Sequence, residues 1–427
     1  MAADSIPAAT LAAPPAGFSG AAKVFVCLVL LSLANVAFWV PSLAGVVEGF
    51  FAGAPLPAFA NRDFANYWLS GRLALGGDLS LLAEQATHQA ALEAAFGMPG
   101  MEPRAWSYPP HMLLVTWPLG FLSYPAAYGL FMAVTGGWFT WTVRAWSHRM
   151  AGPNSRTVFP IALGLLVPFF VLQVLAGQNG FFFGAVMLQA LYWRKTRPMA
   201  AGLMLAVLTM KPQLGLLLPL LLLTERRFVT IAWAVAFTGG LIGLSAAIFG
   251  VAAWIAFFEV TLPYQQYVAA HWTGQFLHMM PTWFAAFRAA GLAQESALAL
   301  HACLAAPLVL ACLYAMVRSK DEETRSRLLL AGTFVLTPYA FNYDLGALLV
   351  MVAVPVAARA AREGIDWILA FAAGLVLALP LWTPLLGRGD AILVLPPLVI
   401  SGLLLIWSAP VFRTFPAALF TKSAPVS

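Results

Sequence analysis

Long apolar runs recur along almost the whole chain, and no other feature constrains its folding more. Segments 23–47, 108–122, 124–145, 157–175, 178–193, 198–210, 213–223, 228–250, 296–317, 328–342, 345–358, 365–383 and 391–410 carry few or no charges. Many approach the roughly 20 residues that a helix needs to cross about 30 Å of hydrocarbon. Of the 427 residues, 61% are hydrophobic and 9% charged, more apolar surface than a soluble core can cover. A soluble enzyme, a disordered protein and a disulfide scaffold are excluded. The runs are continuous and do not alternate with a period of two, which argues against a transmembrane β-barrel. The chain reads as an all-α polytopic membrane protein.

Charge sets the expected orientation. Residues 1–22, rich in Ala and Pro, read as a disordered tail. The run from Lys23 is longer than the apolar region of a cleaved signal peptide and reads as a retained first helix. With the N-terminus cytoplasmic, Lys23, the 144–156, 194–197, 226–227, 318–327 and 359–362 clusters, Arg413 and Lys422 lie inside. They make up 17 of the 23 Lys and Arg residues. Arg62, Arg72, Arg104, Lys211, Arg288 and Arg388 then lie outside. The net charge of +6 is thereby a topology signal, with no nucleic-acid partner implied.

This scheme gives about twelve crossings (eleven to thirteen), with both termini in the cytoplasm and a plasma (inner) membrane location. One domain is expected over 23–410, followed by a cytoplasmic tail at 411–427. Three segments are short. Segment 108–122 is expected to dip into the membrane and return. Segments 198–210 and 213–223 flank Lys211-Pro212-Gln213 and suggest a tight hairpin with its tip near the outer leaflet. Two long outer stretches, 48–107 and 251–295, are expected to carry amphipathic helices along the membrane surface, at 63–76, 84–96, 252–268 and 282–291. Cys27, Cys303 and Cys312 lie in apolar runs without metal-ligand spacing and read as packing residues.

Polar residues at the ends of these runs crowd the outer side. Ionisable groups beside an apolar bundle are costly and are functional candidates by default. Asp63 leads, with Asn66, Tyr67 and Ser70 at helical spacing behind it. Its carboxylate could take the proton of a sugar hydroxyl as general base, or cap the helix that follows. Lys211 could hold a phosphate, or snorkel from a helix end. Gln178 and Asn179 could bind sugar hydroxyls, or form a plain turn. Asp344 could serve as a second carboxylate beside Tyr343, or cap helix 345–358. Trp106 and Trp272 could stack on sugar rings or belong to an interfacial belt, and His271 and His278 read as boundary packing.

Several segments together resemble glycosyltransferase family 87, the polyprenol-phosphate-mannose-dependent α-mannosyltransferases of the GT-C superfamily. They are RDFANYWLSGRLALGGD (62–78), WSYPPHMLLVTWPLGFLSYPAA (106–127), GQNGFFFGA (177–185), RPMAAGLMLAVLTMKPQLGLLLPLLLLTERR (197–227), HMMPTWFAAFRAAG (278–291) and LTPYAFNYDLGALL (336–349). The resemblance implies a GT-C-like bundle with its active site on the non-cytoplasmic face. It implies a polyprenyl-phosphate sugar donor, a lipid or glycan acceptor, and no metal or other cofactor. The family's catalytic Asp corresponds to Asp63. The lysine of its KPQ block corresponds to Lys211, expected with Arg62 at the donor phosphate. Asn66, Tyr67, Tyr108, Gln178, Asn179, Gln213, Tyr343 and Asp344 are then expected around sugar and acceptor. Where characterised members carry histidine, this chain has Asn342-Tyr343-Asp344.

Two other readings share the same apolar architecture. A transporter or flippase of lipid-linked sugars would more often show repeated halves, and no repeat is visible. A glycan polymerase or ligase using a pyrophosphate-linked donor would present more outer arginines than Arg62, Arg72, Arg104 and Arg288.

Overall fold

A computed structural model describes residues 19–33, 36–53, 57–60, 62–386 and 393–413. Arg388, most of the expected N-terminal tail and the tail beyond Arg413 lie outside these residues. Every regular element among the described residues is helical. Two helices, Phe228–Phe249 and Gln294–Arg318, are each long and apolar enough to cross a bilayer. A third passes as the bent pair Tyr124–Leu165 and Val167–Ala176, 48° apart. Shorter apolar helices include Gly20–Leu33, Gly180–Trp193 and Pro198–Leu208, and Trp367–Leu386 and Leu395–Arg413 are apolar helices of 20 and 19 residues. Among the described residues, length and apolarity thus single out fewer spans than the twelve or so expected.

The breaks have local causes. Pro168 sits in the first turn of Val167–Ala176, where it has no N–H to give the preceding turn. Pro263 opens Leu262–His271 just after the π-helical turn Phe257–Thr261, which relieves its ring against the preceding carbonyl. Gly77 and Gly97, both left-handed, end Phe64–Gly76 and Gln85–Phe96. Asp321 caps Glu322–Leu336 by accepting from the Thr324 amide at 2.7 Å, and two glutamates in the first turn complement the helix dipole.

Four of the expected inner basic clusters meet at one end of the bundle, Arg227 of the 226–227 pair lying 3.8 Å from Glu225. Arg194 clasps Glu225 through Nε at 3.0 Å and Nη2 at 3.2 Å. Arg325 reaches Glu225 at 3.4 Å, while Arg149 and Lys195 both reach Glu322, the former at 2.7 Å. From there the chain runs through Pro198–Leu208 to Lys211 and returns through Leu218–Thr224 to Glu225. That path is the expected hairpin, closed at its base by Arg194–Glu225 with Lys211 at its tip. Segment 108–122 folds as the short turns Pro110–Met112, Leu113–Thr116 and Trp117–Phe121.

One expectation is overturned. Phe64–Gly76 does not lie on a surface: Phe64, Ala65, Tyr67, Trp68, Leu69, Ser70 and Gly71 are buried. Ser70 Oγ bonds Thr116 Oγ1 at 2.9 Å, and Trp68 Nε1 donates to the Leu122 carbonyl at 2.9 Å. The large aromatic rings on this helix gain more from packing against Tyr124, Tyr128 and Phe131 than from an interface. Cys303 is exposed, whereas Cys27 and Cys312 are buried as expected of packing residues.

Candidate active site

At the end of the bundle opposite the basic cluster, side chains from five separate segments join in one hydrogen-bonded chain. Lys211 Nζ donates to Asp344 Oδ1 at 2.5 Å and to Asn179 Oδ1 at 3.4 Å. Asn179 Nδ2 donates to the Tyr108 hydroxyl at 2.8 Å, which lies 3.0 Å from the Tyr67 hydroxyl. Tyr67 donates to Gln178 Oε1 at 2.7 Å, and Gln178 Nε2 donates to Asp63 Oδ2 at 2.6 Å.

The direction of this chain follows from its members. Tyr67 has one proton and gives it to Gln178, so the proton between the two tyrosines belongs to Tyr108. Every link then points the same way, from the Lys211 ammonium to the Asp63 carboxylate. Head-to-tail bonds polarise one another and fix each amide and hydroxyl in one orientation.

Asp63 is held by its backbone, whose N–H donates to the Ala176 carbonyl at 3.0 Å. Its side chain makes no cap bond to Phe64–Gly76, so the capping alternative is not what this carboxylate does. Oδ2 is taken by Gln178; Oδ1 faces Arg104 Nε at 3.6 Å. The Asp63 side chain is 32% exposed, against 5% for Arg104, so a substrate can reach the carboxylate. Asp344 does not cap helix 345–358 either. Its Oδ2 turns back to the Phe341 amide at 3.3 Å, leaving Oδ1 for Lys211.

Two glycines let the GQN block approach its neighbours. Gly177 is left-handed (φ 65°), and a Cβ there would stand 2.9 Å from Phe64 Cβ. At Gly180 a Cβ would lie 1.8 Å from the Tyr343 carbonyl oxygen. Gln173 staples the same place, with Nε2 on the Tyr343 carbonyl and Oε1 on the Gly180 amide, each at 2.9 Å.

Of the residues singled out from sequence, Asp63, Tyr67, Tyr108, Gln178, Asn179, Lys211 and Asp344 belong to the chain, and the Tyr343 ring lies 4.9 Å from the ammonium. Three do not join it. Arg62 turns Nη2 to the Ser42 carbonyl at 3.3 Å. Asn66 turns to His88 Nε2 at 2.9 Å, and Gln213 contributes its backbone carbonyl to Thr337 Oγ1 at 3.2 Å. Trp106 is buried, its ring centroid 5.2 Å from that of Tyr108. Sequence reasoning did not assign Arg104, His88 or Gln173 to the site. Gln173 carried a readable signal, an amide inside an apolar run. Arg104 and His88 sit in polar stretches where nothing marks them.

The arrangement can therefore deprotonate a hydroxyl at Asp63 and offers positive charge beside it at Arg104. No curated protein and no solved structure matches the chain. The family model for glycosyltransferase family 87 matches residues 106–338, more than half of the chain. That region carries Tyr108, Gln178, Asn179, Lys211 and Arg194–Glu225, hence both the polar chain's centre and the clasp at the other end. This apolar-helical, membrane-associated chain belongs to glycosyltransferase family 87 and is a glycosyltransferase.

Proposed function

We propose that the protein transfers a hexose, mannose in the first instance, from a polyprenyl-phosphate donor to a hydroxyl of a lipid or glycan acceptor. Transfer occurs with inversion, on the non-cytoplasmic face of the plasma (inner) membrane, in a bundle of about twelve crossings with both termini inside. The product is a component of a cell-envelope glycan. The observation that carries this reading is Asp63, accessible, with one carboxylate oxygen fixed by Gln178 and the other beside a buried guanidinium. Support for the orientation comes from the basic clusters gathered at the opposite end of the bundle.

In this scheme the acceptor hydroxyl gives its proton to Asp63 Oδ1 as its oxygen attacks the anomeric carbon. The bond from that carbon to the phosphate oxygen breaks, and the phosphate leaves as an anion. It needs no acid, only a cation in place as charge develops. Arg104, 3.6 Å from Asp63 and 3.5 Å from the exposed Glu102, is the cation nearest the base, whereas Lys211 is paired with the buried Asp344. Lys211 instead anchors the chain that orients Tyr108, Tyr67 and Gln178. The scheme uses no metal or cofactor.

The test uses purified protein in nanodiscs with radiolabelled polyprenyl-phosphate-mannose and a panel of lipid acceptors. Asp63→Asn is expected to lower kcat by roughly 10²–10⁴-fold, the range for losing a general base, with an unchanged unfolding temperature. Wild-type turnover in that variant would remove Asp63 from the chemistry. Saturable donor binding without transfer by the wild type would favour a flippase.

A further inference from the structure

Arg104 stands beside Asp63 without a helix to hold it. Residues 101–107 form no regular element, yet the Arg104 side chain is only 5% exposed, with Nε 3.6 Å from Asp63 Oδ1. An arginine side chain has about 2 kcal/mol of rotamer entropy to lose, so a loop arginine kept in one place needs fixing. Part of that is local. Nη1 donates to the Glu102 carbonyl at 3.1 Å, and Nη2 lies 3.5 Å from Glu102 Oε2. The guanidinium is thereby folded onto its own loop, and its position follows the loop backbone.

That backbone is held from the helix Gln85–Phe96. Gln89 uses both ends of its amide: Oε1 accepts from the Arg104 N–H at 2.9 Å, and Nε2 donates to the Met101 carbonyl at 3.1 Å. Nε2 also donates to Glu93 Oε1 at 3.1 Å, one turn further along the same face. Glu93 Oε1 in turn accepts from the Gly100 N–H at 3.1 Å. Gly97 and Gly100, both left-handed, turn the chain back so that residues 100–104 reach these two side chains. A neutral fork suits the task. A glutamate at 89 could not donate to the Met101 carbonyl and would stand against Glu93. The residue before Gln89 grips the other partner. His88 is buried with Nε2 2.9 Å from Asn66 Oδ1, on the helix Phe64–Gly76 that starts directly after Asp63. Consecutive residues of one helix thus tie to the helix behind the base and to the loop that carries the cation.

We infer that Gln89 is a positioning residue for the transfer reaction: with Glu93 it fixes the 100–104 loop so that the Arg104 guanidinium stands at Asp63 Oδ1. The inference rests on the proposed reaction and adds the device that sets its cation against its base. Asn66 has a place in the same device, as the point where the helix Gln85–Phe96 is keyed to the base.

Two measurements separate this inference from the reaction beneath it. The first is a double-mutant cycle on transfer in nanodiscs, with Gln89→Ala, Arg104→Met and both. Gln89→Ala is expected to lower kcat by roughly 10–10²-fold, the scale for a small misplacement of a group at the reacting centre, with KM for the donor little changed. In the Arg104→Met background it should cost almost nothing further, because its effect passes through the guanidinium. Glu93→Ala leaves the Gln89 bonds to Met101 and Arg104 in place and should lose less in the same direction. It serves in both measurements should Gln89→Ala fail to fold. Losses that multiply in the double variant, or a loss that appears only in KM, would show a merely structural residue and overturn the inference with the reaction still established.

The second measurement needs no turnover. Phenylglyoxal, which modifies accessible guanidinium groups, is applied to the folded wild type and to Gln89→Ala, with the exposed Arg72 as internal reference. Arg104 should be protected in the wild type and labelled several-fold faster in the variant relative to Arg72. That outcome supports the device even where no sugar transfer is found, in which case only the proposed reaction falls. Equal protection of Arg104 in both proteins would overturn the inference whatever the activity.

Discussion

The Lys211 ammonium and the Asp344 carboxylate meet at 2.5 Å with side chains only 4% and 0% exposed. Removing one partner leaves the other charge buried and uncompensated, at a cost of about 3–5 kcal/mol. Lys211→Met and Asp344→Leu should each lower the unfolding temperature in detergent markedly. The double variant should regain most of that loss, because two apolar side chains replace two desolvated charges. It should still turn over slowly, since Asn179 has lost its donor and the row to Asp63 its anchor. Strictly additive losses in the double variant would show that the two residues act independently.

Gly180 is fixed by proximity. An alanine Cβ would stand 1.8 Å from the Tyr343 carbonyl oxygen and 2.5 Å from Gln173 Nε2. The carbonyl cannot withdraw without moving the 342–344 turn, and overpacking of this kind costs about 1–3 kcal/mol. Gly180→Ala should therefore lose stability and activity together as Asp344 is drawn off Lys211. Gly137→Ala is the control: nothing lies within 4 Å of a Cβ there, and the helix should gain up to about 1 kcal/mol. Equal thermal shifts in the two variants would refute the close-approach argument.

How much of this could be read from residues alone depends on the kind of information involved. Polar groups at the ends of apolar runs are conspicuous, which is why Asp63, Gln178, Asn179, Lys211 and Asp344 stood out. Their partners were not legible, since hydropathy does not say which helices are neighbours; Lys211 and Asp344 are 133 residues apart. The hairpin around Lys211 was readable because Pro212 breaks an apolar run between two basic clusters. Phe64–Gly76 was misplaced at the surface because Arg72 and Asn66 imitate a polar face. Its aromatic residues decide otherwise by packing into the bundle. Arg104 was hidden for the opposite reason: an arginine in a polar loop is ordinary until its 5% exposure beside Asp63 is seen.

At the other end of the bundle, Arg194 and Glu225 are 2% and 1% exposed and clasp each other in a bidentate pair. Glu225→Gln should cost about 3 kcal/mol by leaving Arg194 short of its counter-charge. The comparison is Arg359–Glu363, 3.8 Å apart with side chains 55% and 66% exposed. There Glu363→Gln should change stability by less than about 1 kcal/mol. Thermal unfolding of both variants ranks them, and a loss in Glu363→Gln as large as in Glu225→Gln would mean that burial is not what makes the clasp matter.

His88 makes stability depend on pH. It is buried on Gln85–Phe96 with Nε2 2.9 Å from Asn66 Oδ1. Burial first, and then the charge of Arg104, lower its pKa from 6.5 to about 4. Because the folded value is the lower one, the unfolded chain takes up a proton between pH 6.5 and 4 while the native protein does not. The contribution of neutral His88 is thus complete above pH 6.5 and is lost as pH falls toward 4, by about 3 kcal/mol in all. His88→Gln removes the titration while keeping an amide beside Asn66. Its unfolding temperature should fall less steeply than that of the wild type between pH 6.5 and 4. Parallel pH profiles for the two proteins would place the acid sensitivity elsewhere.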